Sequence, residues 1–331
     1  METRKAQLTG GSTFTVSLPK EWATEIDLET GDTLRLFPRE RTLIIEPAEG
    51  DEYWETDVEI DHLSETQVRR TIQTLYTTGF NRIRLSSSTN LSNNRRVISA
   101  TARNLIGLET LESTDTQVTL QSLLDSATVS VEQSTVQIQQ VALAMHEDAV
   151  TTLLEQDTDL AEHVVEQDNQ VDRLYAMISR HFQRSLVSLR ETDDLELDQS
   201  ELYDYQTTAR QLERVADHAE KIANLASQFQ TPPPTDFAEQ IEANAEAARD
   251  IVEQAASTII GDADIETAHK ALNNRSELTT ELQELERELH DGDIPDSHLI
   301  ALTLDSLTRT AEYGGNIAEI ALQTAARKRR L

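Results

Sequence analysis

Glu213 and Asp217 stand four residues apart in a stretch of helical pattern, and Asp168 and Asp172 repeat that spacing in the stretch before it. Residues four apart share one helix face. Two facing helices would therefore present four carboxylates to a shared ion or cluster. An all-oxygen set suits Mg²⁺, Mn²⁺ or Ca²⁺, and a nearby histidine extends the range to iron or zinc. Spacing alone is weak evidence. With 60 acids in 331 residues, chance supplies about ten such pairs, and solvated helix faces favour them further. His218 is either a group that orients a ligand from behind or a packed core histidine. Arg214 is either a surface cation or a phosphate contact. The chain has no cysteine, no glycine-rich phosphate loop and no nucleophile beside a base, so no enzyme mechanism is supported and a metal must be held by oxygen or histidine.

The helices that would carry these side chains are legible as periodicity. Apolar residues recur at spacings of three and four through 127–154, 159–189 and 199–229. Thr231-Pro232-Pro233-Pro234-Thr235 interrupts the pattern, which resumes through 237–260, 265–290 and 295–330. Two sets of three predict tandem antiparallel three-helix bundles, at 126–230 and 237–331. LERVADHAEKIANLA at 212–226 lines up with LTRTAEYGGNIAEIA at 307–321, an offset of 95 residues. In that alignment Thr308 answers Glu213, Glu312 answers Asp217 and Tyr313 answers His218. Aligning the preceding helices through Asp159 and Asp264 sets Asn273 against Asp168 and Glu277 against Asp172. The second bundle keeps two candidate ligands, Glu277 and Glu312, and is expected to be a weaker or purely structural site. The terminal Arg327-Lys328-Arg329-Arg330 complements the negative end of the last helix, or contacts nucleic acid or a partner.

Ahead of the helices lie two smaller regions. Segments 4–8 and 14–18 alternate around Thr9-Gly10-Gly11, Pro19 opens a short helix over 20–26, and strands follow at 34–37 and 42–45. Four strands this short cannot close a core alone, so a partner chain is implied. Within 51–125, strands are expected at 57–60, 82–85, 108–111 and 118–120. Helices are expected at 64–77, capped by Ser64 and ended by Gly79, and at 95–105. The alternation predicts a small α/β connecting or sensing module. The whole is a multi-domain α+β chain.

The net charge of −31 is spread along the chain, and only five of the 29 cations are lysine. Such acidity suits a halophilic surface bathed in molar salt, where the Debye length falls to about 3 Å. It does not exclude DNA binding by one segment. Residues 1–49 carry six cations and nine acids, yet residues 1–20 carry three cations and one acid. No run approaches the roughly 18–20 apolar residues of a spanning helix, and METRKAQLTGG has no signal-peptide core, so no membrane insertion and a cytoplasmic location are expected.

GSTFTVSLPKEWATEIDLETGDTLRLF, with Ser17-Leu18-Pro19-Lys20-Glu21 at a strand-to-helix corner, resembles the SpoVT/AbrB-type swapped-hairpin domain over residues 1–48. The resemblance implies an intertwined homodimer that binds DNA or serves as a dimer platform. Arg4, Lys5 and Lys20 would then contact phosphate, with Ser12 and Thr13 as hydrogen-bond donors. LERVADHAEKIA and DLAEHVVEQDNQVDRLY resemble the signature helices of the PhoU family, regulators of phosphate uptake, and the resemblance spans about 130–325. It implies a multinuclear metal cluster at Asp168, Asp172, Glu213 and Asp217, and phosphate transporter components as partners. Together the two resemblances imply a dimeric DNA-binding regulator of phosphate homeostasis, or an adaptor that only dimerises through 1–48 and acts on a phosphate transporter by contact.

Overall fold

The computed structural model describes residues 3–39, 41–48, 53–92, 94–261, 263–292 and 294–329. The chain separates into two compact units, the first reaching Tyr53 and the second starting at Trp54. In the first, Gln7–Thr9 (β1) and Thr13–Thr15 (β2) form an antiparallel hairpin. Its turn holds Gly10 and Gly11 at φ of 64° and 82°, a left-handed region that glycine enters without penalty. Lys20–Glu25 (α1) follows Pro19, and Leu34–Arg39 (β3) pairs antiparallel with Thr42–Pro47 (β4). Among the described residues of this unit Phe37 is the one buried apolar side chain, while Leu8, Phe14, Val16, Leu36, Leu43 and Ile44 are exposed. The unit has almost no core of its own.

The second unit begins with Glu55–Glu59 (β5), Glu65–Thr78 (α2) and Arg82–Ser86 (β6), a parallel strand pair joined by a helix. Arg95–Arg103 (α3), Leu108–Ser113 (β7) and Gln117–Ser122 (β8) complete a four-stranded sheet of order β5-β6-β8-β7. Ser64 and Gln67 form a reciprocal capping box at the start of α2, and Gly79 ends that helix at φ 114°. On β6 the alternation is complete. Ile83 and Leu85 are buried beneath α2 and α3, while Arg82 and Arg84 pair with Glu55 and Asp57 of β5 at 2.9 and 2.6 Å.

A 3-10 turn at Ser126–Thr128 leads into Val131–Glu155 (α4), Thr158–Ser185 (α5), Leu189–Asp194 (α6) and Gln199–Ala226 (α7). Thr235–Ile260 (α8), Ile265–Asp291 (α9) and Ser297–Arg327 (α10) follow. The helix expected over 159–189 is α5, which ends four residues early, at Ser185, and α6 follows from Leu189. The cause lies on α6, where the buried Glu191 receives hydrogen bonds from His181 and, at 2.9 Å, from Arg184 Nε. In one continuous helix residues 181 and 191 would stand about 15 Å apart, so only a reversal of the chain brings them together.

Helices α4, α5 and α7 pack on one another, as do α8, α9 and α10, and one hydrophobic core runs through both sets. The repeated helices α7 and α10 face each other with reciprocal contacts. Lys221 pairs with Asp305 at 3.2 Å, and Asn316, the counterpart of Lys221, donates to Gln211 at 3.0 Å. The matched residues His218 and Tyr313 meet at the crossing, with ring centroids 5.6 Å apart.

Candidate functional site

Val164, Val171 and Leu174 of α5 pack in the same core as Leu212, Val215 and Ala216 of α7. This packing aligns the flanking polar faces. Asp168 and Asp172 on α5 meet Glu213 and Asp217 on α7, and the four form one electrostatic group. Glu213 is 7 % exposed and Asp168 half-buried, whereas Asp172 and Asp217 open to solvent. Burial, then the charge of Asp217, pushes the Glu213 carboxyl up to about 7. Burial, then Asp172, Glu220 and Asp217, pushes Asp168 up to about 7. Asp172 is raised by partial burial and by Asp217 and Glu220, and Asp217 is raised by partial burial against the opposing pull of Arg210 and Arg214.

The local compensation is incomplete. Arg210 Nη1 donates to Glu213 Oε1 at 2.8 Å, while Glu213 Oε2 and Asp168 Oδ1 are buried without a hydrogen-bond partner. Such a group is stabilised by added positive charge, and its donors are hard oxygens. As the side chains are placed, no three His or carboxylate groups among the described residues close on a single ion. The helices supply a common face. Arg210 and Glu220 are members of this group that the sequence reading passed over, although each lies three residues from a predicted member on the same helix.

The neighbouring residues resolve as follows. His218 is half-buried, faces Tyr313 Oη through Nε2 at 3.4 Å, leaves Nδ1 without a partner, and is driven down to about 4 chiefly by burial. Arg214 lies 5.7 Å from the centroid of the Tyr313 ring. In the second bundle Glu277 is exposed, and Glu312 accepts from Arg309 Nη1 at 2.8 Å. The two line neighbouring surface depressions that share Ser276. Arg327 pairs with Asp204, and Lys328 with Glu201 at 3.1 Å, so these terminal cations engage the start of α7; Arg330 lies outside the described residues. In the first unit Arg4, Lys5, Ser12, Thr13 and Lys20 are all exposed, on and around the β1–β2 hairpin and at the start of α1.

A further set of side chains ties α5 to the end of α2. Arg180 is 2 % exposed, and its Nη1 donates to the Tyr76 and Phe80 carbonyls at 2.7 and 2.9 Å. Arg184 Nη1 donates to the Gly79 carbonyl and to Asn81 Oδ1, both at 3.1 Å. Two cations thus converge on carbonyls at and just past the C-terminal end of α2, the negative end of the helix. Burial pushes Glu191 up, but hydrogen bonds from His181 and Arg184 outweigh it and hold its carboxyl at about 2. Sequence reasoning missed this docking entirely, because the partners lie about a hundred residues apart.

Residues 135–226 match the family model of the PhoU domain, and residues 7–52 match that described as antidote-toxin recognition MazE, bacterial antitoxin. The structure is similar to that of PhoU from Pseudomonas aeruginosa, with 22 % identity and a TM-score of 0.50, covering 60 % of this chain and 96 % of that one. It is also similar to the phosphate transport system regulatory protein PhoU from Streptococcus pneumoniae, with 17 % identity and a TM-score of 0.48, covering 58 % and 91 %. A comparison with curated proteins found no match. The chain therefore carries a PhoU domain, within whose span all four carboxylates fall, preceded by a MazE/AbrB-like domain.

Proposed function

We propose that this chain regulates phosphate uptake and intracellular phosphate homeostasis as a cytoplasmic, DNA-binding homodimer rather than as an enzyme. The observation that carries the reading is the coincidence of the PhoU-domain match with the helix pair α5 and α7, whose faces gather four mutually repelling carboxylates. Asp168, Asp172, Glu213 and Asp217 would hold a divalent cation or an iron or zinc cluster. The buried, unpartnered oxygens of Asp168 and Glu213 fit such a ligand. A bound metal would supply the positive charge this face lacks. The exposed apolar side chains of the first unit support dimerisation through residues 1–48. Arg4, Lys5, Ser12, Thr13 and Lys20 are the residues available to an operator. Occupancy of the bundle would be passed through the middle module to the hairpin dimer. No helix among the described residues is long and apolar enough to cross a membrane.

The competing reading is an adaptor that dimerises through 1–48 without binding DNA and acts on a phosphate transporter by protein contact; it is favoured by the excess of acids over cations in residues 1–49. Genome-wide occupancy in phosphate-replete and phosphate-starved cells, followed by footprinting in molar salt of the wild type and an Arg4→Ala/Lys5→Ala variant, separates them. Occupancy upstream of phosphate-import genes that the variant loses supports the regulator. Absence of sequence-specific binding at any salt concentration leaves the adaptor. Elemental analysis of protein purified without chelators tests the metal, and a metal-free chain unaffected by Asp217→Ala returns the carboxylates to an ordinary acidic face.

A further inference from the structure

A cleft of about 560 Å³ lies inside the second unit, between α2 and α3 of the sheet module and α5 and α7 of the helical part. That volume falls within the range of small-molecule sites. The walls of the cleft are polar and mostly open to solvent, with Ser179 and Glu213 buried at its floor. Arg69, Gln73 and Thr77 follow one another at four-residue spacing on α2, Asn169 and Arg173 do so on α5, and Asn104 and Gln206 add amides from the end of α3 and from α7. The Ser179 hydroxyl lines the same cleft, is 5 % exposed and has no hydrogen-bond partner. Glu213, with its buried and unpartnered Oε2, and Asp172 line it too. Arg69 and Arg173 make no ion pair or hydrogen bond among the described residues, in a chain where acids outnumber cations by 60 to 29. A buried polar group without a partner costs free energy that a ligand can return.

We propose that this cleft is a binding site for a mononucleotide. Its phosphate is held by Arg69 and Arg173, whose forked donors match phosphate oxygens. In the metal-free protein the carboxylates of Glu213 and Asp172 repel a phosphate, so the ligand's neutral sugar lies toward them, on the side the metal would otherwise occupy. The amides of Gln73, Asn104 and Gln206 are left to read the base. The site adjoins both the carboxylate group and the Arg180 docking to α2, since α5 serves all three. The proposal is independent of operator binding, because ligand binding is read on the isolated protein.

The test is isothermal titration of the full-length chain, in chelator and at constant high salt, with AMP, adenosine and inorganic phosphate as probes. AMP is expected to bind saturably and at least tenfold more tightly than either fragment. Arg69→Met and Arg173→Met, checked for unchanged helical circular dichroism, are each expected to weaken AMP binding at least tenfold. No saturable AMP binding at millimolar concentration, equal binding of inorganic phosphate, or indifference to both substitutions overturns the assignment.

Discussion

Glu213→Gln isolates the electrostatic character of the carboxylate group. The substitution keeps the shape and the oxygen that accepts from Arg210, and it removes the charge. In the folded chain the Glu213 carboxyl titrates near 7, against an ordinary value of 4.5. The folded state therefore binds a proton more tightly than the unfolded chain, and stability falls as pH rises between these two values. Above pH 7 the ionised side chain opposes folding by about 3 kcal/mol, at about 1.4 kcal/mol per pH unit of separation. Some of this returns through screening and adjustment of neighbouring acids, so about 2–3 kcal/mol is expected. At pH 5 the same arithmetic leaves less than about 1 kcal/mol, and at pH 4 almost nothing. The assay is urea unfolding followed by circular dichroism, on chelator-treated protein at fixed high salt, at pH 8, 5 and 4. Glu213→Gln is expected to be the more stable protein at pH 8, with the advantage fading on acidification. Added Mn²⁺ is expected to stabilise the wild type and to have much less effect on the variant. A variant no more stable than the wild type at pH 8, or an advantage that does not change with pH, refutes the reasoning.

Arg180→Met removes the Arg180 donor from the Phe80 carbonyl and from the Tyr76 carbonyl, which keeps only the Gly79 N–H. A loss of about 2–4 kcal/mol is expected, with hydrogen exchange accelerated first at the end of α2; exchange unchanged in that segment counts against the docking. Gly79→Ala places a side chain at φ 114° and a Cβ 2.7 Å from Arg184 Cγ, so a cost of about 1–3 kcal/mol is expected from thermal unfolding. Phe14→Asp puts a charge on a side chain 74 % exposed in the single chain. If that surface holds a dimer together, light scattering will give the monomer mass while helical circular dichroism stays unchanged; a variant that remains dimeric places the interface elsewhere.

Much of the fold is readable without coordinates. Ser64 and Gly79 bound α2 as expected, because a cap acts on the first few free N–H groups and a left-handed C-terminus needs only one residue without a Cβ. The helices α4, α5, α7, α8, α9 and α10 fall within a few residues of their predicted spans, because apolar periodicity records which side of a helix is buried. The β1 and β2 strands are shorter than the alternation suggested, since alternation marks an extended segment and not how far its partner continues.

By itself, then, the sequence determined the order and type of the elements, the repeat that relates α7 to α10, and the four-residue spacing that sets Asp168 with Asp172 and Glu213 with Asp217. Each of these is a local or periodic property of the chain. Only the tertiary structure decided which acids share one field and that Glu220 and Arg210 join them. It also decided that α5 ends at Ser185, and it decided the burial of Arg180 against α2. The physical reason is common to all: the energy of a buried charge depends on partners a hundred residues away and on the water that packing removes, and neither quantity is carried by neighbours in sequence.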